Sequence, residues 1–118
     1  MARTTLAVTA VTDSGVQEVA KTTGIADGHM FANDGRTWIE VTNSGSATRT
    51  LTIQTQKTFN GFALADRTVS ITDGTTKKIG PFPTDIYNVQ AGADAGKVYI
   101  DYQATFHADF ATSVYRLE

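Results

Sequence analysis

The chain has 118 residues, a formal net charge of −2 and no cysteine. That length fits one domain and buries roughly two-thirds of the unfolded surface without a covalent staple. The missing cysteines exclude a disulfide scaffold, thiolate catalysis and Cys-based zinc sites, and the scattered Lys and Arg build no basic stripe, so nucleic acid is not an expected partner.

The opening MARTTLAVTAVT is interrupted by threonine and lacks a signal-peptide core, so export by that route is not expected. No apolar run is long enough to span a bilayer, and no membrane partner is expected. Residues 1–118 read as a single β-sandwich domain in which Met1–Thr5 is a flexible N-terminal arm. Thr is the commonest residue, and Val, Ile, Phe and Tyr accompany it, a composition that fits pleated surfaces. Predicted strands are Leu6–Val11, Gln17–Thr22, Thr37–Asn43, Thr48–Thr55, Arg67–Ile71, Lys77–Ile79, Lys97–Tyr102 and Thr112–Leu117. Turn chemistry separates them at Asp13-Ser14-Gly15, Asp27-Gly28, Asn33-Asp34-Gly35, Asn43-Ser44-Gly45 and Asp73-Gly74. Gly80-Pro81-Phe82-Pro83 cannot lie in a central strand, because neither proline donates to a ladder. It reads as an extended crossing with Phe82 plugging one end of the core. Ala91–Gly96 reads as a mobile surface loop, and Thr105–Phe110 as a strand or a bent connection. Leu117–Glu118 fits a cloning scar and carries no functional weight. The fold expected is all-β, a single-domain antiparallel β-sandwich in jelly-roll or immunoglobulin-like order.

The stretch from Arg36 to Thr55 contains the chain's single Trp. Ile39 and Val41 alternate with Trp38, Glu40 and Thr42, so the tryptophan shares a side with polar neighbours. Read as a hairpin, the stretch pairs Val41 with Leu51 and Ile39 with Ile53. Trp38 then faces Gln54, Glu40 faces Thr52 and Thr42 faces Thr50. Trp38, Glu40, Thr50, Thr52 and Gln54 are therefore the candidate interface. Cover of Trp38 by the chain's own loop is favoured over cover by a neighbour, since fully exposed Trp is uncommon.

Chemistry is sparse. The only imidazoles are His29 and His107, and no G-x-S-x-G elbow or Gly-rich phosphate loop occurs. His107 and Asp109 would share a strand face, but a metal site needs further ligands; the favoured reading is a wet polar face. The Asp-Gly turns lack the ligand spacing of a calcium loop. Glu40, Asp101 and Asp109 form no evident carboxylate pair. Tyr87, Tyr99, Tyr102 and Tyr115 suit the edge of a core better than a sugar platform. No catalytic, cofactor-binding or metal residues are assigned, and no cofactor is expected.

Three stretches carry a resemblance: ANDGRTWIEVTNSG (Ala32–Gly45), VSITDGTTKKIGPFP (Val69–Pro83) and GKVYIDY (Gly96–Tyr102). In that order the chain resembles small structural proteins encoded in the head-gene regions of tailed phages and prophages, especially those of actinobacteria. The likeness covers roughly the middle and C-terminal two-thirds, while Thr12–Met30 matches no such pattern. It implies a non-enzymatic virion protein, a capsid decoration or cement protein whose partner is the major capsid protein. Proteins of this kind often assemble as homo-oligomers, trimers among them. By itself, VTNSGSATRTLTI also fits sandwich modules of cell surfaces, which leaves a carbohydrate- or cell-surface-binding module as the alternative.

Overall fold

Alternation decides which side chains enter the interior. In β5 (Thr37–Asn43), Thr37, Ile39, Val41 and Asn43 are buried while Trp38, Glu40 and Thr42 point outward. In β6 (Arg49–Ile53), Leu51 and Ile53 are buried and Thr50 and Thr52 are not. The computed structural model describes residues 3–117; Met1 and Ala2 of the expected arm, and Glu118 of the expected scar, lie outside the described residues.

Two sheets form an all-β sandwich. One runs β1 (Thr4–Thr5), β4 (His29–Ala32), β11 (Lys97–Tyr102), β6, β9 (Arg67–Ile71); the other runs β10 (Thr75–Ile79), β5, β12 (Phe110–Leu117), β2 (Val8–Val11), with β3 (Thr22–Thr23) also on β12. A separate two-stranded hairpin joins β7 (Thr58–Phe59) to β8 (Phe62–Ala63). The sheet centres are antiparallel, whereas β1 on β4 and β2 on β12 are parallel. Between β1 and β2 the chain changes sheets, and Leu6 enters the core at that crossing. The described part of the arm is therefore anchored: Thr4 and Thr5 pair with His29 and Met30, and Arg3 forms a 2.6 Å ion pair with Asp101.

The core takes Phe31, Leu51, Ile53, Ile71, Val98 and Ile100 from the first sheet and Ile39, Val41, Ile79, Phe110 and Val114 from the second. Burying each large side chain contributes roughly 1.5–3 kcal/mol. Phe82 closes one end, as expected, against Phe31 and Tyr87 at 5.6 and 5.4 Å between ring centroids. A single helical turn, α1 (Thr84–Tyr87), follows it.

The structure corrects three further sequence readings. First, β5 and β6 are not a hairpin. Val41 lies between Lys77 and Thr112, and Leu51 between Val69 and Tyr102. Ile39 and Val41 do meet the same core as Leu51 and Ile53, but across the sandwich; alternation alone cannot tell a strand beside from a strand opposite. The buried Asn43 fixes this corner: its Nδ2 donates to the carbonyls of Ala47 (2.9 Å) and Ile71 (2.8 Å), and its Oδ1 accepts from the Gly45 amide (2.9 Å).

Second, Gln17–Thr22 is no strand beyond the short β3. Neither face of that segment is apolar. It lies across the outside of β12, where the Val19 amide donates to the Tyr115 hydroxyl at 2.9 Å and Ser113 and Tyr115 are buried. Third, β4 forms where no strand was expected, with His29 and Phe31 turned inward between two turn signals. Of the two readings of Thr105–Phe110, the structure has the bent connection: a 3₁₀ turn over His107–Asp109 leads into β12. Ala91–Gly96 is a surface turn whose Gly96 amide donates to the Val89 carbonyl at 2.9 Å.

Candidate interaction surface

The hairpin β7–β8 comes from the run TFNGFA. Asn60 and Gly61 take φ of 52° and 84°, the left-handed pair that a two-residue hairpin turn requires and that Asn-Gly supplies. Thr58 pairs with Ala63 and Phe59 with Phe62. The two phenylalanines are 68 % and 77 % exposed. Each therefore forgoes most of the roughly 1.5–3 kcal/mol that burial of such a side chain supplies.

An isolated hairpin this short is marginal in water, so its foot matters. The Gln56 and Lys57 amides donate to the Ile86 carbonyl at 2.7 and 3.2 Å, and the Leu64 amide donates to Lys57 at 3.3 Å. The Thr55 hydroxyl donates to the Leu64 carbonyl (2.9 Å), the Thr55 amide to the Asp66 carboxylate (3.1 Å), and Lys57 meets Asp85 at 3.4 Å. The tip stands clear of the sandwich while its base is tied to α1 and to the strand ends.

Beside this end of the molecule lies a groove of about 370 Å³ whose apolar walls are Trp38, Ile79, Pro81 and Leu117, with Arg36 and Lys78 on its rim. Gly80 makes it possible. A Cβ there would stand 2.7 Å from Trp38 Cβ and 3.0 Å from the Thr37 carbonyl, and its φ is +141°. A second hollow of about 270 Å³, lined in part by Arg67, Pro83 and Ile86, shares Ile79, Gly80 and Pro81 with the first.

The five residues of the expected interface are not together. Trp38 and Glu40 lie on the outer side of the β5 sheet, and Thr50 and Thr52 on that of the β6 sheet with Gln54 just beyond it. Trp38 is half-buried by its own chain, stacked on Tyr115 with centroids 5.7 Å apart. Glu40 stands 4.0 Å from Lys78. The Thr50 amide donates to the Gln103 side chain at 2.8 Å, and Gln54 donates to Asp101, which also holds Arg3. Arg3 covers the Tyr99 ring at 4.3 Å. Tyr99 donates to Asp94, and that bond, followed by burial, raises its pKa.

The groups weighed for chemistry are also dispersed. Asp109 faces Arg49 at 3.1 Å, and Arg49 in turn lies over Phe106. His29 is buried with its Nδ1 2.6 Å from the Tyr102 hydroxyl, which lies 3.0 Å from the Thr112 hydroxyl. Burial lowers the His29 pKa and pushes that of Tyr102 up to about 12. This chain of contacts ties β4 and β11 to β12 in the opposite sheet. Tyr87 is in the core and Tyr115 is buried under residues 16–22, so the four tyrosines share no platform. Among the described residues no three His, Asp or Glu side chains converge, and no helix is long and apolar enough to cross a membrane.

No protein-family model, curated protein or solved structure matches the chain.

The hairpin was missed in the sequence, although its signal is present. Asn60-Gly61 lies between Thr58-Phe59 and Phe62-Ala63, and Asn-Gly between β-formers is the strongest short-range hairpin pattern.

Proposed function

We propose that this chain is a non-enzymatic virion structural protein of a tailed phage, a capsid decoration protein that binds the outside of the shell and stabilises it. The observation that carries the reading is the pair Phe59 and Phe62, held in solvent on a braced hairpin. Aromatic side chains fixed outside any cleft suit contact with another macromolecule better than turnover of a small one. A sandwich of two sheets braces that element and presents broad polar faces. Thr50 and Thr52 offer short, stiff hydroxyls, and Gln54 an amide, to the major capsid protein. Many copies on one shell make modest contacts sufficient, and a net charge of −2 limits repulsion among them.

The test is addition of the purified protein to undecorated capsids of the phage whose head genes encode it. Binding that raises the temperature or denaturant concentration at which the shells open is expected. Absence of binding overturns the reading. The alternative, a carbohydrate- or cell-surface-binding module, draws on the Trp38 groove; saturable binding on a glycan array would favour it.

A further inference from the structure

The chain carries both a protruding apolar element and an apolar depression. Phe59 and Phe62 form the knob. Trp38, Ile79, Pro81 and Leu117 form the groove; Leu117, given no functional weight from the sequence, pairs with Val11 at the end of β12 and is 52 % exposed. The two are contiguous along the surface: the hairpin's foot is bonded to Ile86, Ile86 lines the second hollow, and that hollow shares Ile79, Gly80 and Pro81 with the groove. A continuous surface that carries both an apolar knob and an apolar hollow can pair with a second copy of itself. A two-fold axis lays each knob over the other copy's groove.

We propose that this face is a homodimer interface, with the β7–β8 hairpin of each protomer seated in the Trp38 groove of the other. The inference rests on the reading of the chain as an assembling surface protein and names the partner of its aromatic hairpin.

Area favours the paired arrangement. At roughly 150–250 Å² per aromatic side chain, one hairpin covers only a few hundred Å². A stable interface needs about 800 Å² per partner. Hairpin and groove together bring each protomer toward that figure; a single knob in a single groove does not. Charge does not oppose the approach. The groove's rim is cationic through Arg36 and Lys78. At the hairpin's foot Lys57 is paired with Asp85, and Asp66 adjoins Arg67, so the knob is neutral as a whole. Its tip, Asn60-Gly61, is uncharged.

The test is sedimentation equilibrium of the full chain from about 1 μM to about 1 mM, which reads dissociation constants worth about 8 to 4 kcal/mol of association. The wild type is expected to pass from one copy to two. Over the same range Trp38, the only tryptophan, should shift its emission to the blue as the partner's hairpin covers it, a readout that needs no variant. The knob variant Phe59→Ser/Phe62→Ser and the groove variant Leu117→Glu should each weaken the dimer by about 30-fold or more. All three residues are exposed, so circular dichroism and melting should stay those of the wild type. Mixing the two variants should raise the mean mass above that of either alone but leave it below that of the wild type, because the mixed pair keeps one of the two knob-in-groove contacts.

A wild type that stays monomeric with constant emission overturns the proposal. So does an oligomer indifferent to the knob variant, or a plateau at three copies. The capsid experiment separates this from the functional reading. A monomer that still binds and stabilises shells removes the dimer alone, and a dimer that ignores shells removes the decoration role alone.

Discussion

Trp38 on β5 and Tyr115 on β12 stand directly opposite one another in the ladder, and their rings stack at 5.7 Å with 24° between planes. This pair explains why the chain's only tryptophan alternates with the polar residues of β5. It points away from the core, and its own chain covers one face while the other borders the Pro81 groove. The side chain thus serves the sheet and the surface at once.

Trp38→Ala should therefore cost about 1–2 kcal/mol, the aromatic contact plus partial burial, and leave a folded protein. Urea denaturation followed by circular dichroism checks this. Complete unfolding would place Trp38 in the core's energetics, contrary to its half-exposed position.

Asn43 bridges the sandwich, with its Nδ2 on the carbonyl of Ile71 in the opposite sheet and on that of Ala47. Removing it takes a donor from two buried or part-buried carbonyls and an acceptor from the Gly45 amide. Asn43→Ala should destabilise by about 2–4 kcal/mol. Asn43→Asp keeps the acceptor for Gly45 but replaces both donor contacts with repulsion, and should be no better. Equilibrium denaturation of both variants checks the order.

Much of the fold could be read from the sequence wherever one face of a strand is dry. Ile39, Val41, Leu51, Ile53, Val98 and Ile100 alternate cleanly and are all buried, and Pro81 and Pro83 marked the crossing that carries Phe82 into the core. Pairing was less legible. Asn43-Ser44-Gly45 signals a turn, but only the buried hydrogen bonds of Asn43 make that turn a passage between sheets. The five candidate surface residues are divided for the same reason: a register that joins β5 to β6 puts Trp38 beside Gln54, whereas the fold places them on opposite outer sides. The hairpin tip escaped notice because Phe59 and Phe62 look like core residues by composition, and nothing local says that the core is already full.

Stability should depend on His29 in acid. Burial holds its pKa below the ordinary value of 6.5, so the folded state keeps the imidazole neutral while the unfolded chain protonates. Between the folded pKa and 6.5 the unfolded state binds more protons, and stability rises with pH. The stabilisation is fully present above 6.5 and is lost as pH falls toward the folded value. His29→Gln retains an acceptor for Tyr102 and removes the titration. Urea midpoints at pH values on either side of 6.5 should fall in acid more for the wild type than for the variant. Equal slopes would show that protonation of His29 is not linked to unfolding.

Gly80→Ala tests whether the groove depends on close backbone approach. The added methyl would meet Trp38 Cα at 2.9 Å and the Thr37 carbonyl at 3.0 Å, atoms of a central strand that cannot swing aside, and the φ of +141° is strained for any side chain. The segment must then lift away from β5, taking Pro81 from the side of Trp38. A loss of about 2 kcal/mol or more is expected, together with a red shift of Trp38 emission in the monomer as water reaches the opened groove. In sedimentation the same variant should dimerise less well than the wild type, although Gly80 offers no side chain to a partner. A normal melting curve with weakened association would mean that the groove's shape matters while its closeness to β5 costs little. Loss of stability with undiminished association would remove the groove from the dimer contact.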